Sequence, residues 1–409
     1  MPRRHDIDAL RVFAFALLIL YHAGMVYVAD WGFHIKSGYQ AEWLQYPMIF
    51  LSRWRMPLLF AISGMAIGLS LHKRSLAGFA LLRSWRLLLP LAFGMLLVVP
   101  VQAWCEAVAN GAWQEGFGAF LWRYLQLRPW PEGGWTGADY GVTWNHLWYL
   151  AYLWPYTLGL LLAVPLLRSA PGRRACDWLL ARRGAWLVLV PALYFLALLL
   201  WLAPRYPQTH AFTDDWYLHA EYIPVFLFGY LVARNDGFWE ELVRMRRSTL
   251  AIALCAISVE LLLRAAGRHL PPGAVPAALA QLPWHGIELA ARALYTWTAL
   301  LAIFGWARVL LDRPFRWLPY ATEAVYPWYI LHQSLIVPIV FALIPLRLGG
   351  ALEAALVVAG TIAGCLLLHE YVIRRSAVLR PLFGLRRREA AGRQPSRWTT
   401  TSWTASPPR

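Results

Sequence analysis

Ten long apolar segments limit the class of fold that this chain can adopt. A bilayer core about 30 Å thick is spanned by about 20 apolar residues in an α-helix, and its lack of water requires backbone groups to be paired internally. Hydrophobic residues make up 59% of the 409 positions and charged residues 15%, which is typical of a polytopic membrane protein. We therefore predict an all-α membrane helix bundle of about ten transmembrane helices. The predicted spans lie near residues 10–28, 47–70, 87–104, 146–167, 185–203, 217–233, 248–264, 289–307, 324–346 and 350–373.

The distribution of basic residues predicts the orientation of this bundle. Lys and Arg favour the cytoplasmic side of short loops, and most of the 38 basic residues lie in alternate segments such as 73–86, 168–183 and 234–247. Both termini are therefore expected in the cytoplasm. The formal net charge of +16 is explained by this topology and by contact with anionic membrane lipid, so no nucleic-acid partner is predicted.

The chain is predicted to form one transmembrane domain over residues 1–384. Residues 385–409 are rich in Arg, Ser, Thr and Pro and are expected to form a disordered cytoplasmic tail. The longest outer segment, 105–145, is rich in Gly, Trp and Pro and is long enough for a functional loop or lid. Its tryptophans could stack on sugar rings. The four cysteines are too widely spaced for a metal or redox pair, and no metal site is predicted.

Ionisable residues inside the predicted spans are the best candidates for chemistry, because burying them in lipid is costly. Arg11 and His22 are eleven positions apart, so they share one helix face at a separation of about 16 Å. His332 falls near the middle of the ninth span, and His146 lies at the outer end of the fourth. For His332 and His146, an interhelical hydrogen bond is an equally good explanation.

Arg83 and Arg86 lie at the inner end of the third span, three positions apart. Such a pair either reaches lipid phosphates or clamps the phosphates of a ligand. With Arg11 it would form a cationic collar on the cytoplasmic side, on which the phosphates of coenzyme A could rest while the thioester reaches His22. A neutral imidazole there could deprotonate a hydroxyl that enters from outside. This arrangement suggests acyl transfer across the membrane.

These residues resemble the membrane acyltransferase family 3, whose hallmarks are an R-x10-H motif in the first span and an R-x-x-R motif near the third. The chain has Arg11-x10-His22 and Arg83-x-x-Arg86, together with the runs 55–64 (RMPLLFAISG) and 329–332 (YILH). The resemblance extends over all ten spans. It is greatest to the branch of glucans biosynthesis protein C (OpgC/MdoC), which succinylates osmoregulated periplasmic glucans, through the segments 31–37, 145–150 and 379–385.

The resemblance implies a role for each matching residue. His22 would be the catalytic base, and Arg11, Arg83 and Arg86 would contact acyl-CoA. His146 and His332 would orient the substrate or stabilise the oxyanion. The implied protein is a bacterial inner-membrane O-acyltransferase. It would move a short acyl group, best succinyl, from cytoplasmic acyl-CoA to hydroxyls of periplasmic glucans, with no permanently bound cofactor.

The sequence leaves open two other functions and one other acyltransferase mechanism. The chain could acetylate another cell-surface glycan, or it could transport a glycan or an anion without acyl chemistry, since midplane polar groups also mark translocation sites. A different membrane acyltransferase fold could instead use His332 as its essential residue, with Arg83 dispensable.

Three further arginines are candidates for binding the acyl group. A succinyl group would require a cation for its free carboxylate, and the candidates are Arg53, Arg55 and Arg292. Each of them could instead form a structural ion pair with Glu260, Glu288 or a helix end.

The H-x4-D spacing of His210 and Asp215 resembles that of soluble glycerolipid acyltransferases. These two residues lie in a short outer loop, and we interpret the resemblance as coincidence.

Overall fold

The computed structural model describes residues 3–73, 75–130, 133–271 and 281–386, and within them the chain forms helices and connecting segments without a β-sheet. The predicted tail lies beyond residue 386, apart from its first two residues, and so outside the described residues. In chain order the helices are α1 (His5–Tyr27), α2 (Gln45–Ser70), α3 (Leu76–Phe93), α4 (Pro100–Ala109), α5 (Phe117–Tyr124), α6 (Trp148–Leu167), α7 (Ala170–Leu180), α8 (Ala185–Ala197), α9 (Trp216–Val232), α10 (Asp236–His269), α11 (Trp284–Leu310), α12 (Leu318–Leu343), α13 (Gly350–Leu367) and α14 (Leu379–Leu382).

The predicted all-α membrane bundle is confirmed. Eight helical segments in the described part of the chain are long and apolar enough to cross a membrane. One of them combines α3 and α4 through a π-helical turn at Gly94–Val98. The other two predicted spans are also helical: α2 carries Arg53 and Arg55, and α9 has 17 residues.

Helices α2 and α9 pack at backbone contact because glycines face each other. A Cβ atom on Gly64 would lie 1.9 Å from the carbonyl oxygen of Phe226, and one on Gly229 would lie 2.0 Å from that of Ala61. Side chains at these positions would force the helices apart. Gly68 also contacts α9, where an added Cβ atom would lie 2.7 Å from the carbonyl oxygen of Tyr230, so Gly64 and Gly68 have both the spacing and the close contact of a small-residue packing motif.

One face of the bundle carries the loops 28–44, 110–147 and 203–215, and it lies opposite the N-terminus of α1. We call it the distal face. The described part of the 110–147 loop contributes to an aromatic core, in which Trp130 and Trp135 are buried and pack against Phe120 and Tyr124. The faces of these two tryptophans are used in packing, so they are not free to stack on sugar rings.

The turn that leads into α6 is held against the π-helical turn after α3. Gly94 belongs to that turn, and a Cβ atom there would lie 2.4 Å from the side chain of Leu147. Asn145 begins the 3₁₀ turn Asn145–Leu147 and has a positive φ of 41°. This strained turn directs His146 into the bundle, where it is 5% exposed.

Candidate functional site

Three histidines that are far apart in the sequence meet inside the bundle. His22 comes from α1, His332 from α12, and His146 from the turn before α6. Nδ1 of His22 lies 2.8 Å from Nε2 of His332, and the ring centroids of His332 and His146 are 5.0 Å apart. The three candidate histidines therefore form one cluster.

The hydrogen bonds of His332 determine the tautomer of His22. Nδ1 of His332 lies 2.7 Å from the carbonyl oxygen of Tyr329 and 3.2 Å from that of Trp328. Because carbonyl oxygens only accept, this nitrogen carries the proton, and Nε2 of the neutral ring is an acceptor. His22 must then donate through Nδ1, so Nε2 of its neutral imidazole keeps a free lone pair. This is the tautomer that a general base requires.

His146 is held as a donor and an acceptor by groups on other helices. Its Nε2 donates to the carbonyl of Ile330 at 3.1 Å, and its Nδ1 accepts from the amide of Gln102 at 3.3 Å. The hydroxyl of Tyr329 donates to the backbone carbonyl of His146 at 2.6 Å. The ring is thus fixed beside His332 by both of its nitrogens.

A polar network that the sequence analysis did not select connects this cluster to the distal face. Gln102 accepts from the amide of Gln333 at 3.0 Å, and Gln333 also donates to Nε2 of His34 at 2.9 Å. His34 then donates through Nδ1 to Glu106 at 2.5 Å, and Glu106 is 8% exposed. Gln102 and Gln333 lie inside predicted spans, so their polarity was the signal that could have identified them.

A cavity of about 860 Å³ brings the cluster into contact with the distal face. His22 and His146 form part of its wall, and its lining extends to Trp31, Tyr140 and Gln208 in the three distal loops. The imidazole of His22 is therefore not sealed in a dry helix contact. A molecule that enters from the distal face can reach it.

The three predicted arginines Arg11, Arg83 and Arg86 are absent from the residues that line the cavity. Arg11 forms an ion pair with Asp8 at 3.3 Å, and Nε of Arg83 is buried without a hydrogen-bond partner. Arg11 and Arg83 are close enough to interact electrostatically with each other and with Tyr149. Tyr149 itself lines the cavity, so this side chain is in the cavity wall and near the arginines at the same time.

The three arginines considered for a substrate carboxylate have different partners. Arg53 forms the predicted ion pair with Glu260, with its Nε at 2.9 Å. Arg292 donates to the hydroxyl of Tyr217 at 3.3 Å. Arg55 has no carboxylate within ion-pair distance among the described residues. A further candidate partner, Glu288, is paired instead with Arg264 at 2.8 Å.

His210 and Asp215 do not form a catalytic pair. Asp215 is fully buried and accepts hydrogen bonds from Tyr152 at 2.6 Å and from the backbone of Thr209 at 2.7 Å. His210 lies against the ring of Trp148 at 4.5 Å. Burial lowers the pKa of His210 below its usual value, against the opposing effect of Asp215. Asp215 therefore stabilises its loop, as the interpretation of coincidence implies.

The family profile described as an acyltransferase domain, of acyltransferase family 3, matches residues 4–370. The chain belongs to acyltransferase family 3. The match includes both arginine motifs and all three histidines of the cluster. Together with the apolar helices, membership makes this family 3 protein a multi-pass membrane acyltransferase. No curated protein and no solved structure gave a significant match.

Proposed function

We propose that this family 3 protein is an O-acyltransferase of the bacterial inner membrane. In this proposal it transfers a short acyl group, best succinyl, from cytoplasmic acyl-CoA to a hydroxyl of a periplasmic glucan, as in the OpgC/MdoC branch. The observation that carries the proposal is the imidazole of His22. It lines a cavity that reaches the distal face, and its hydrogen bond to His332 leaves Nε2 unprotonated.

The chemistry requires one proton acceptor and one exchange of bonds. Nε2 of His22 takes the proton of the acceptor hydroxyl while the oxygen attacks the carbonyl carbon of the thioester. A carbon–oxygen bond forms, the carbon–sulfur bond breaks, and the proton passes from His22 to the departing thiolate of coenzyme A. His332 accepts the Nδ1 hydrogen bond of the positively charged His22 ring, which is stronger than that of the neutral ring.

The mouth of the cavity has the side chains that a sugar acceptor would need. Trp31, Trp144 and Tyr140 line it, and Tyr140 is 68% exposed. Aromatic rings of this kind have an apolar face and a polar edge. In the proposal they contact the glucan, while Thr136 and Gln208, which also line the cavity, supply polar groups.

The donor is proposed to bind from the face on which the N-terminus lies. Arg11, Arg83 and Arg86 would contact the phosphates of coenzyme A. Arg83 has a buried Nε without a partner, which an anionic ligand would satisfy. Membrane lipid surrounds the helices and contacts exposed apolar residues such as Leu81, which is 75% exposed.

The test is ester formation by purified protein in lipid nanodiscs. Wild type, His22→Ala and a control variant, His285→Ala, receive labelled succinyl-CoA or acetyl-CoA together with periplasmic glucan. His285 is an exposed residue at the start of α11. Loss of a general base should lower the rate of esterification by about 10²–10⁴-fold, whereas His285→Ala should match wild type.

Three results separate the proposal from its rivals. Full ester yield by His22→Ala would remove the proposed base. Ester formation only with acetyl-CoA and a different glycan would favour the alternative O-acetyltransferase. If wild type forms no ester with any donor but moves labelled glycan across a proteoliposome membrane, the protein transports and does not acylate.

A further inference from the structure

Arg55 is a buried cation without a counter-ion in the wall of the cavity. It lies on α2, is 4% exposed, and lines the cavity beside His22. Its Nε and Nη1 atoms are buried and have no hydrogen-bond partner. Its neighbours are tyrosines: the ring centroid of Tyr21 is 3.6 Å from the guanidinium carbon, and both Tyr21 and Tyr222 interact with it electrostatically.

This state is unusual because a buried charge normally has a partner that offsets its loss of hydration. A contact with an aromatic ring recovers only part of that loss. Arg53, two positions away on the same helix, has the partner that Arg55 lacks: it donates to Glu260. The difference points to an anion that arrives with the substrate.

The position of Arg55 relative to His22 identifies which part of the substrate this anion belongs to. The ring of Tyr21 contacts the guanidinium on one side, and its centroid is 5.7 Å from that of His22. His22 and Arg55 also interact electrostatically, and both line the cavity. A four-carbon acyl group whose thioester carbonyl lies beside His22 can therefore direct its far end towards Arg55.

We propose that Arg55 binds the free carboxylate of a dicarboxylic acyl group and so selects a succinyl-type donor over an uncharged acyl group of the same length. This inference rests on the proposed function and assigns the residue that determines its donor specificity. The guanidinium of Arg55 donates to the carboxylate, which replaces the missing counter-ion. Arg53 and Arg292 already have protein partners and do not have this role.

The experiment compares two donors that differ at one end. Succinyl-CoA and butyryl-CoA have the same chain length, but only the first has a terminal carboxylate. Both are supplied with glucan to wild type, Arg55→Gln, Arg55→Lys and the matched variant Arg53→Gln, and kcat/KM is measured for each donor. Activity with butyryl-CoA also reports that each variant is folded.

Wild type should prefer succinyl-CoA. Arg55→Gln should lower kcat/KM for succinyl-CoA by about 100-fold, as expected for the loss of a buried charged partner, and should change the value for butyryl-CoA by less than about 3-fold. Arg55→Lys should retain part of the preference, because it keeps the charge but not the planar guanidinium. Arg53→Gln should affect both donors equally.

Other outcomes overturn the inference. Equal losses with both donors would mean that Arg55 stabilises the oxyanion or the fold and does not recognise a carboxylate. An unchanged succinyl preference in Arg55→Gln, or a wild type that prefers butyryl-CoA, would also contradict it. In each of these cases ester is still formed by wild type, so the proposed O-acyl transfer survives, although a preference for butyryl-CoA would exclude succinyl as its best donor. Absence of ester from wild type with either donor would remove both proposals.

Discussion

Replacing His332 with alanine tests the hydrogen-bond relay that prepares His22. In the structure, Nε2 of His332 accepts from Nδ1 of His22 at 2.8 Å, while its own Nδ1 is fixed by the carbonyl of Tyr329 at 2.7 Å. His332→Ala removes the acceptor and leaves the His22 side chain in place. The base is then present, but its tautomer and ring orientation are no longer determined.

The expected loss has two parts. A free His22 ring has two tautomers and two ring orientations, so the productive arrangement falls to about one quarter of the population. The bond from positively charged His22 to His332 is charge-assisted and is worth about 1.5–3 kcal/mol. Together these effects give a decrease in kcat of about 50-fold to 600-fold, since about 1.4 kcal/mol corresponds to a tenfold change.

The assay follows release of coenzyme A thiol at saturating acyl-CoA and glucan for His332→Ala, His332→Gln, His22→Ala and the double variant. His332→Gln should recover about tenfold over His332→Ala, because its amide oxygen can accept from Nδ1 of His22. The double variant should be no slower than His22→Ala, since residues that act as one unit are not additive. Thermal unfolding in detergent controls for the buried position of His332, which is 1% exposed.

Two results would refute this reasoning. A kcat for His332→Ala within about 3-fold of wild type would mean that the relay does not prepare the base. If His22→Ala keeps its activity while His332→Ala loses it, then His332 is the essential residue, as in the alternative membrane acyltransferase mechanism.

Two further predictions concern the donor site and the helix packing. Arg83→Ala and Arg86→Ala should each weaken binding of coenzyme A by about 10-fold to 100-fold in calorimetry, as expected for lost charge-assisted hydrogen bonds, and unchanged affinity would exclude these residues as phosphate ligands. Gly229→Ala should destabilise the bundle by about 1–3 kcal/mol, because its Cβ atom would lie 2.0 Å from the carbonyl oxygen of Ala61. Gly159→Ala is the control for thermal unfolding, since nothing lies within 4 Å of the added atom, and equal effects of the two substitutions would contradict the packing argument.

The helices could be predicted from the sequence because lipid allows few alternatives. Each predicted span corresponds to a helix, including α2, in which Arg53 and Arg55 interrupt the apolar run. The packing of α2 against α9 could be anticipated only in part. The G-x-x-x-G spacing of Gly64 and Gly68 is typical of close helix contacts, but nothing in it identifies α9 as the partner.

The contacts within the candidate site could not be predicted, because they depend on how helices are rotated against each other. His22 and His332 were both expected near mid-depth, yet they are 310 positions apart, and depth alone does not bring two rings to hydrogen-bonding distance. The partners of the arginines depend on the same rotations. Arg53 and Arg55 look equivalent in the sequence, but Glu260 on α10 forms an ion pair with Arg53 and not with Arg55.

The position of Tyr149 connects the two halves of the proposed reaction. Its hydroxyl donates to the carbonyl of Leu59 at 3.1 Å and accepts from Ser63 at 2.6 Å, so the ring is fixed to α2. It lines the cavity and also interacts electrostatically with Arg11 and Arg83. Arg11 and His22 lie about 16 Å apart along α1. In the proposed reaction, a donor whose phosphates bind the arginines would extend along α1 to bring its thioester to His22, and Tyr149, which interacts with both arginines and lines the cavity, would lie next to that route.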